Sequence, residues 1–170
     1  AAVGWVMGLP VAEIARGLQN SALSGMRMEV VRLGGLTVLN DAYNASPTST
    51  SAALETLIEV PGQRHLAVLG DMLELGPRAI PGHQEVGRLV GRLGLDFLLT
   101  VGPLSRHLAE AARQEGMPDD LITWVESAQD AACLVPGLVR EGDVVLVKAS
   151  RGMRLEQVVA ALRQARGRES

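Results

Sequence analysis

The stretch LTVLNDAYNASP, residues 36–47, decides the fold class. A short apolar run ends in Asn40-Asp41, and a polar, turn-prone patch follows before Pro47 and the next helical pattern. Two further blocks repeat the arrangement: an apolar run into LGDMLELG at 69–76, and VVLVKASRGMR at 144–154. Three apolar strands that each deliver polar groups at their C-terminal ends predict one site on a parallel sheet. Ligands of open α/β folds bind outside that edge.

Working outward, MEVVRL, Gly34-Gly35 and LTVLN predict a hairpin, because two-residue Gly-Gly connections suit its turn. After Pro47, Thr48 or Ser49 is placed to cap a helix whose apolar residues are Ala53, Leu54, Leu57 and Ile58. Pro61-Gly62 ends it. HLAVLG, FLLTVG, ITWV and VVLVKA then read as strands. Between them lie helical patterns at 82–93, after Leu104, and over SAQDAACLV, with a last helix carrying Leu155, Val158, Val159 and Leu162. Near-continuous apolar strands alternating with helices predict an α/β three-layer sandwich. Its sheet is mostly parallel, opened by the β-hairpin and covered on both faces. Right-handed crossovers put all three polar blocks on one edge.

Residues 1–20 read as mostly helix, with Pro10 in a first turn and helical spacing of Val11, Ile14, Ala15 and Leu18. NSALSG follows as a linker-like stretch. A helix opening at residue 1 without a cap reads as a cut-out fragment, with residues 1–24 the tail of a preceding domain.

A chain of 170 residues that is 47% apolar fits one domain with a real core. Its net charge of −3 and 2% aromatic content argue against a nucleic-acid partner. No run approaches a membrane span, and the first ten residues lack the basic region of a signal peptide. The lone Cys133, in AACLV, excludes an intrachain disulfide framework and reads as core filling. Lys148 is the only lysine beside fifteen arginines, which draws attention to its block.

Each polar group carries a functional and a structural reading. Asp41 can meet a ribose hydroxyl, a magnesium-bound water or an ammonium, or close a local Asx turn. Asn44 can cap the same turn, and Tyr43 can line a cleft or pack at its rim. Asp71 and Glu74 place two carboxylates in one loop, suited to an ammonium or a metal, or to a capped turn. Gly76-Pro77 and Ile80-Pro81-Gly82 read as an excursion able to cover a ligand. His83 reads as a cap or structural bond, since no metal-ligand cluster surrounds it. Lys148, Ser150, Arg151 and Arg154 crowd a strand end and helix start, where a phosphate or carboxylate is favoured over a solvated face. There is no GxxxxGK[ST] loop, no compact GxGxxG and no GxSxG elbow, so any triphosphate cradle lies elsewhere.

These blocks resemble the C-terminal domain of the Mur ligases, the ATP-dependent amide-bond ligases of peptidoglycan synthesis. The resemblance runs from GMRMEVV through NDAYNASP, LGDMLELG, the HxxxG at His83–Gly87, and VLVKASRGMRLE. NDAYNA together with GDMLELG is similar to the member that joins D-alanyl-D-alanine to UDP-N-acetylmuramoyl-tripeptide. Ser46 and Ala149 depart from the commoner asparagine and glycine but stay small. The alternatives are a Mur ligase adding a single amino acid, and a non-catalytic Rossmann-like domain that binds a nucleotide or anion.

The resemblance implies a Rossmann-like fold, a cytoplasmic setting, and residues 1–24 as the end of the central ATPase domain or a linker. Residues 25–166 form the C-terminal domain, and 167–170 a frayed tail. It implies ATP and Mg2+, with the phosphate loop and metal ligands in the central domain and no metal site in this chain. Partners are then the dipeptide, the UDP-tripeptide and the enzyme's own N-terminal and central domains. The tripeptide carboxylate becomes an acyl phosphate that the dipeptide amine attacks. Position by position, Arg27, Asp41, Tyr43 and Asn44 match nucleotide-binding residues, with Asp41 on the ribose. Lys148, Ser150 and Arg151 match the loop facing the incoming substrate, with Lys148 catalytic. Asp71 and Glu74 fall in the substrate-discriminating loop. Arg27, Asp41 and Lys148 each end an element, which predicts that their loss spares the fold. The chain alone is expected to be inactive.

Overall fold

The computed structural model describes residues 2–19 and 25–167. Two helices open the chain, α1 (Ala2–Val6) and α2 (Val11–Gln19), in line with the mostly helical reading of this stretch. Gly8, at φ 75°, and Pro10 break the run between them. The linker reading at 20–24 and the tail at 168–170 fall outside the described residues.

The hairpin forms as its sequence predicts. β1 (Glu29–Leu33) pairs antiparallel with β2 (Leu36–Asp41). Gly34 and Gly35 turn between them at φ 47° and 76°, a conformation that side chains with a Cβ resist. From there strand and helix alternate: α3 (Pro47–Glu59), β3 (Arg64–Gly70), α4 (Ala79–Leu93), β4 (Phe97–Val101), α5 (Ser105–Gln114), β5 (Ile122–Val125), α6 (Ala128–Leu138), β6 (Asp143–Lys148) and α7 (Glu156–Arg166). Sheet order is β1-β2-β6-β3-β4-β5, and every pair except β1/β2 is parallel.

The last strand is therefore inserted in the middle. Leu39, Leu54, Leu57, Ala67, Val86, Leu98 and Leu108 build one core under α3, α4 and α5. Val38, Val68, Leu99, Val147, Ala131, Val158 and Leu162 build the other, under α6 and α7. Helices that follow neighbouring strands β2 and β6 thus leave toward opposite faces. This is the topological switch at which a crevice opens.

Several local expectations need correction. The cap of α3 is Ser46, not Thr48 or Ser49: its hydroxyl accepts the Ser49 N–H, Pro47 occupies the first turn, and Ser49 bonds back to the Ser46 N–H. The excursion at 76–82 is no open loop. Gly76–Arg78 forms one 3-10 turn and Ala79 starts α4, so Pro81 and Gly82 lie within the helix's first turn. Cys133 is exposed rather than core filling. α6 buries Ala128, Ala131 and Val135, and Cys133 falls off that stripe.

Among the described residues no helix is long and apolar enough to cross a membrane. Helices α4 and α5 approach closely at Gly87. A Cβ on Gly87 would stand 2.2 Å from the Leu108 carbonyl oxygen and 2.8 Å from the Ala111 Cβ. Backbone cannot yield as a flexible side chain does. Gly87→Ala is therefore expected to destabilise by about 1–3 kcal/mol or more in urea melts. Gly137→Ala, in α6 with nothing within 4 Å of the added methyl, should be neutral or stabilising by up to about 1 kcal/mol. Equal losses at both positions would refute the close-approach account.

Candidate functional site

At the C-terminal edge of the sheet, β2 and β6 end in register, with Asp41 opposite Lys148. Lys148 is only 2% exposed, and its Nζ forms an ion pair with Asp41 Oδ2. It also donates to the Asn44 carbonyl oxygen at 2.9 Å. An ammonium has three donors, so one N–H is left for the cleft above. Asp41 Oδ1 accepts the Met28 N–H at 3.0 Å. Each carboxylate oxygen thus holds one bond and keeps capacity for a second.

Above the pair lies a cleft of about 360 Å³, with Arg27, Met28 and Tyr43 on one side. Asn44, Ser46 and Ser49 close the other side, at the N-terminus of α3. The Arg27 guanidinium stacks 4.4 Å from the Tyr43 ring centroid, which holds a cation over the opening. Met26 and Met28 take left-handed φ values of 66° and 48°, unusual without glycine. Their backbone is held there by Met28 N–H on Asp41 and by Tyr43 N–H on the Met26 carbonyl at 3.1 Å.

A second cleft of about 290 Å³ shares the Tyr43–Asn44 wall and is lined by Leu73, Glu74, Ser150, Arg151 and Gly152. Its two loops are tied together. Ser150 Oγ accepts the Leu73 N–H at 2.8 Å, and the Ser150 N–H donates to the Asp71 carbonyl at 3.1 Å. The first cleft therefore collects Arg27, Asp41, Tyr43 and Asn44, and the second Glu74, Ser150 and Arg151.

Two expected site residues sit elsewhere. Lys148 belongs to the first cleft, not beside Ser150 and Arg151, because it is the last residue of β6 and pairs across to β2. Asp71 turns away from both clefts. It is 2% exposed, and its carboxylate accepts the N–H groups of Leu104 at 3.3 Å and Ser105 at 2.7 Å, at the N-terminus of α5. Burial pushes this carboxyl above its ordinary range, while the two amide bonds and nearby His83 act against that rise.

The helix after Lys148 also starts later than expected. A 3-10 turn at Arg151–Met153 intervenes, and Arg154 ends it in a left-handed conformation, away from the cleft residues. The helix start that does line the first cleft is that of α3. Met28, Leu73 and Gly152, which line the clefts, were not singled out from sequence, while Ser49 was named only as a helix cap and Ser46 only as a departure from the commoner asparagine.

His83 is fully buried, with Nε2 accepting the Met72 N–H at 3.0 Å and Nδ1 at 2.7 Å from the Ala79 carbonyl. A ring nitrogen that accepts an amide proton cannot itself carry one, so Nδ1 is the donor. Both nitrogens are engaged, and the ring is a structural tie, not an acid or base. Burial lowers its pKa from the ordinary 6.5, with the Ala79 bond and Asp71 acting the other way. Among the described residues no three His, Cys, Asp or Glu side chains gather as metal ligands.

The chain matches the family description "Mur ligase, glutamate ligase domain" over residues 26–151. It is 37% identical to the UDP-N-acetylmuramoyl-tripeptide--D-alanyl-D-alanine ligase of Bacillus subtilis, over 95% of this chain and 35% of that protein. It is 38% identical to the enzyme of that name from Mycobacterium bovis, over 95% and 36%. Among solved structures, MurF from Acinetobacter baumannii superposes with a TM-score of 0.83 at 25% identity, over 95% of this chain and 35% of that one. MurF ligase from Thermotoga maritima, solved with ADP, superposes at 0.76 and 26% identity, over 99% and 37%. The chain spans about a third of the length of the curated relatives it matches.

Two predictions follow from the geometry. The expectation that the fold tolerates loss of Lys148 or Asp41 is replaced, because each would leave its partner charged, unpaired and largely shielded from water. Lys148→Ala and Asp41→Ala should each destabilise by about 3–5 kcal/mol in urea melts. The double variant should cost clearly less than their sum. Additive losses would show that the pair is not coupled.

The second concerns pH. A histidine whose folded pKa lies below its unfolded one lets the unfolded state take up protons first. Its contribution is fully present above pH 6.5 and lost as pH falls through and below that value. Asp71 has the opposite sign, since protonation relieves its buried charge. The unaltered protein should therefore lose melting temperature between pH 7 and pH 5 more steeply than His83→Gln, which keeps an acceptor for Met72. Parallel pH profiles would remove His83 as the source.

Proposed function

This chain belongs to the Mur ligase family, and we propose that it is the domain through which an ATP-dependent ligase holds nucleotide and amine while joining D-alanyl-D-alanine to UDP-N-acetylmuramoyl-tripeptide. The observation that carries the reading is the pair of abutting clefts at the switch point. One is built on the Asp41–Lys148 pair, and the other carries charges of both signs. The relatives' shared name supports the choice of substrates.

The residues of the first cleft fit a nucleotide. Asp41 retains acceptor capacity on both oxygens for ribose hydroxyls, while Lys148 and Met28 fix the carboxylate's direction. Arg27, held on Tyr43, brings a cation to the phosphate side. Bound ATP would supply the phosphoryl group that activates the tripeptide carboxylate. This chain would contribute charge and alignment. The remaining Lys148 N–H is a donor placed for charge that develops during the reaction. In the second cleft, Glu74, Ser150 and Arg151 form the amine-substrate side.

The phosphate loop and the ligands of Mg2+ are assigned to a central domain of the same protein. Residues 1–24 are assigned to the end of that domain, 25–166 to the C-terminal one. Exposed Trp5, Val6, Met7 and Val11 support a further contact of α1 and α2. The use of ATP and a UDP-linked substrate supports a cytoplasmic setting.

Phosphate release by the full-length protein tests the reading. With UDP-tripeptide, D-alanyl-D-alanine and Mg-ATP it should turn over, and the isolated chain should stay at blank. Arg27→Ala should raise the KM for ATP by roughly tenfold or more, as expected for a lost charged contact, with kcat less affected. A preference for meso-diaminopimelate or lysine as the amine, or turnover by the isolated chain, would reject it.

A further inference from the structure

Resting on the nucleotide reading of the first cleft, we infer that Glu29 and Asn40 are positioning residues for Arg27. Neither lines a cleft. They brace the strained segment that aims the Arg27 guanidinium over the opening.

Arg27 stands between Met26 and Met28, both left-handed, at φ 66° and 48°. Residues with a Cβ hold that conformation only where surrounding bonds impose it. Besides the bonds to Asp41 and Tyr43, the segment is fastened to Glu29, whose Oε2 accepts the Met26 N–H at 3.4 Å. The same oxygen accepts Asn40 Nδ2 at 2.8 Å. Glu29 and Asn40 lie directly opposite each other in the β1/β2 ladder. Arg163 Nη2, from α7, donates to Oε1 at 3.5 Å. One carboxylate therefore ties β2, α7 and the segment bearing Arg27, and its direction is fixed before a ligand arrives. A shift of that segment would move the cation from its place on the Tyr43 ring, and small displacements of a ligand-facing charge are costly.

Asn40 is the informative member, because it is a poor residue for its surroundings. It is 3% exposed. It shares a face of β2 with Val38, which packs in the core under α6 and α7. Charge sets the direction of its amide. A carboxylate only accepts, so the NH2 group faces Glu29 and the carbonyl faces away. That carbonyl oxygen, Oδ1, meets no donor among the described residues. A buried acceptor without a donor costs stability, and an apolar side chain of the same shape would carry no such cost. Asparagine at 40 thus weakens the core while it holds Glu29. A lock on hairpin register would not require it, since Val31 opposite Val38 and the Gly34-Gly35 turn already set the register.

Steady-state kinetics of the full-length enzyme test the brace, with a melting curve on each preparation. Asn40→Leu, which keeps the shape without the donor, should raise the KM for ATP roughly 3- to 10-fold, the scale of one hydrogen bond. Its kcat and its KM for D-alanyl-D-alanine should change by less than about twofold, and its melting temperature should hold or rise. Glu29→Ala should raise the KM for ATP by a similar or larger factor. Glu29→Gln should recover most of that loss, because one carbonyl oxygen can accept both the Asn40 and the Met26 N–H groups. Added to Arg27→Ala, Asn40→Leu should raise the KM for ATP no further, since no guanidinium is left to position. Three results overturn the brace while leaving the nucleotide reading in place: an unchanged KM for ATP in Asn40→Leu, a rise accompanied by a fall in melting temperature, or a further rise on the Arg27→Ala background. An unchanged KM for ATP in Arg27→Ala itself overturns both.

Discussion

The central strand β6 carries one charge at each end, and the molecule is organised around neutralising both. All six of its residues are buried. At its start Asp143 meets Arg64 of β3 through two parallel bonds, Nε to Oδ1 at 2.9 Å and Nη2 to Oδ2 at 2.6 Å. At its end Lys148 meets Asp41 of β2. Both pairs join residues directly opposite in the ladders. A slip of one residue on either side would strand a buried charge and turn apolar side chains to the wrong face. Hydrophobic burial drives β6 into the sheet, but four apolar residues in a row, Val144–Val147, would pack in several registers. The charges select one.

The same constraint makes the site. Because β6 enters between β2 and β3, its following loop emerges between theirs, with one cleft on each side. Lys148 cannot swing freely into either one, since two of its three donors are committed. It is a preoriented donor, and Asp41 is a preoriented acceptor whose direction is fixed by Lys148 and the Met28 amide. Structural and ligand-facing roles therefore fall on the same atoms. Arginine would serve less well at 148, since a planar fork would demand more room between Asp41 and the Asn44 carbonyl than a compact ammonium does.

Much of the fold was legible because its signals are local. The runs HLAVLG and VVLVKA read as buried strands, and Gly34-Gly35 read as a hairpin turn. What failed locally was phase. AACLV is apolar all round, so only the sheet beneath α6 decides that Ala131 and Val135 face inward and Cys133 outward. At α3 a serine stands on either side of Pro47-Thr48, and the one before the proline is the cap. For the site, the strand ends were legible and their partners were not. Asp41 and Lys148 are 107 residues apart in sequence and meet only because the last strand enters the middle of the sheet. Asp71 was misplaced for the same reason: its partners are amides of Leu104 and Ser105, which no local pattern around 71–76 could indicate.

The chemistry of the edge is narrow, and that narrowness bears on mechanism. His83, which follows the second polar block, has both ring nitrogens engaged and its pKa lowered by burial, so it is unsuited to proton transfer at the clefts. Asp71, the carboxyl whose pKa burial raises, is occupied at the start of α5. What faces the clefts is fixed charge: Arg27 on an aromatic ring, the Asp41–Lys148 pair, and Arg151 and Glu74 on two loops tied by one serine. Groups of this kind do not shuttle protons. They hold anionic and cationic ligand groups at set positions and stabilise charge as it moves between them. Such stabilisation is strongest where water is excluded, and both clefts are open on their outer side. A second surface closing over them would strengthen every one of these contacts without adding a residue to the site.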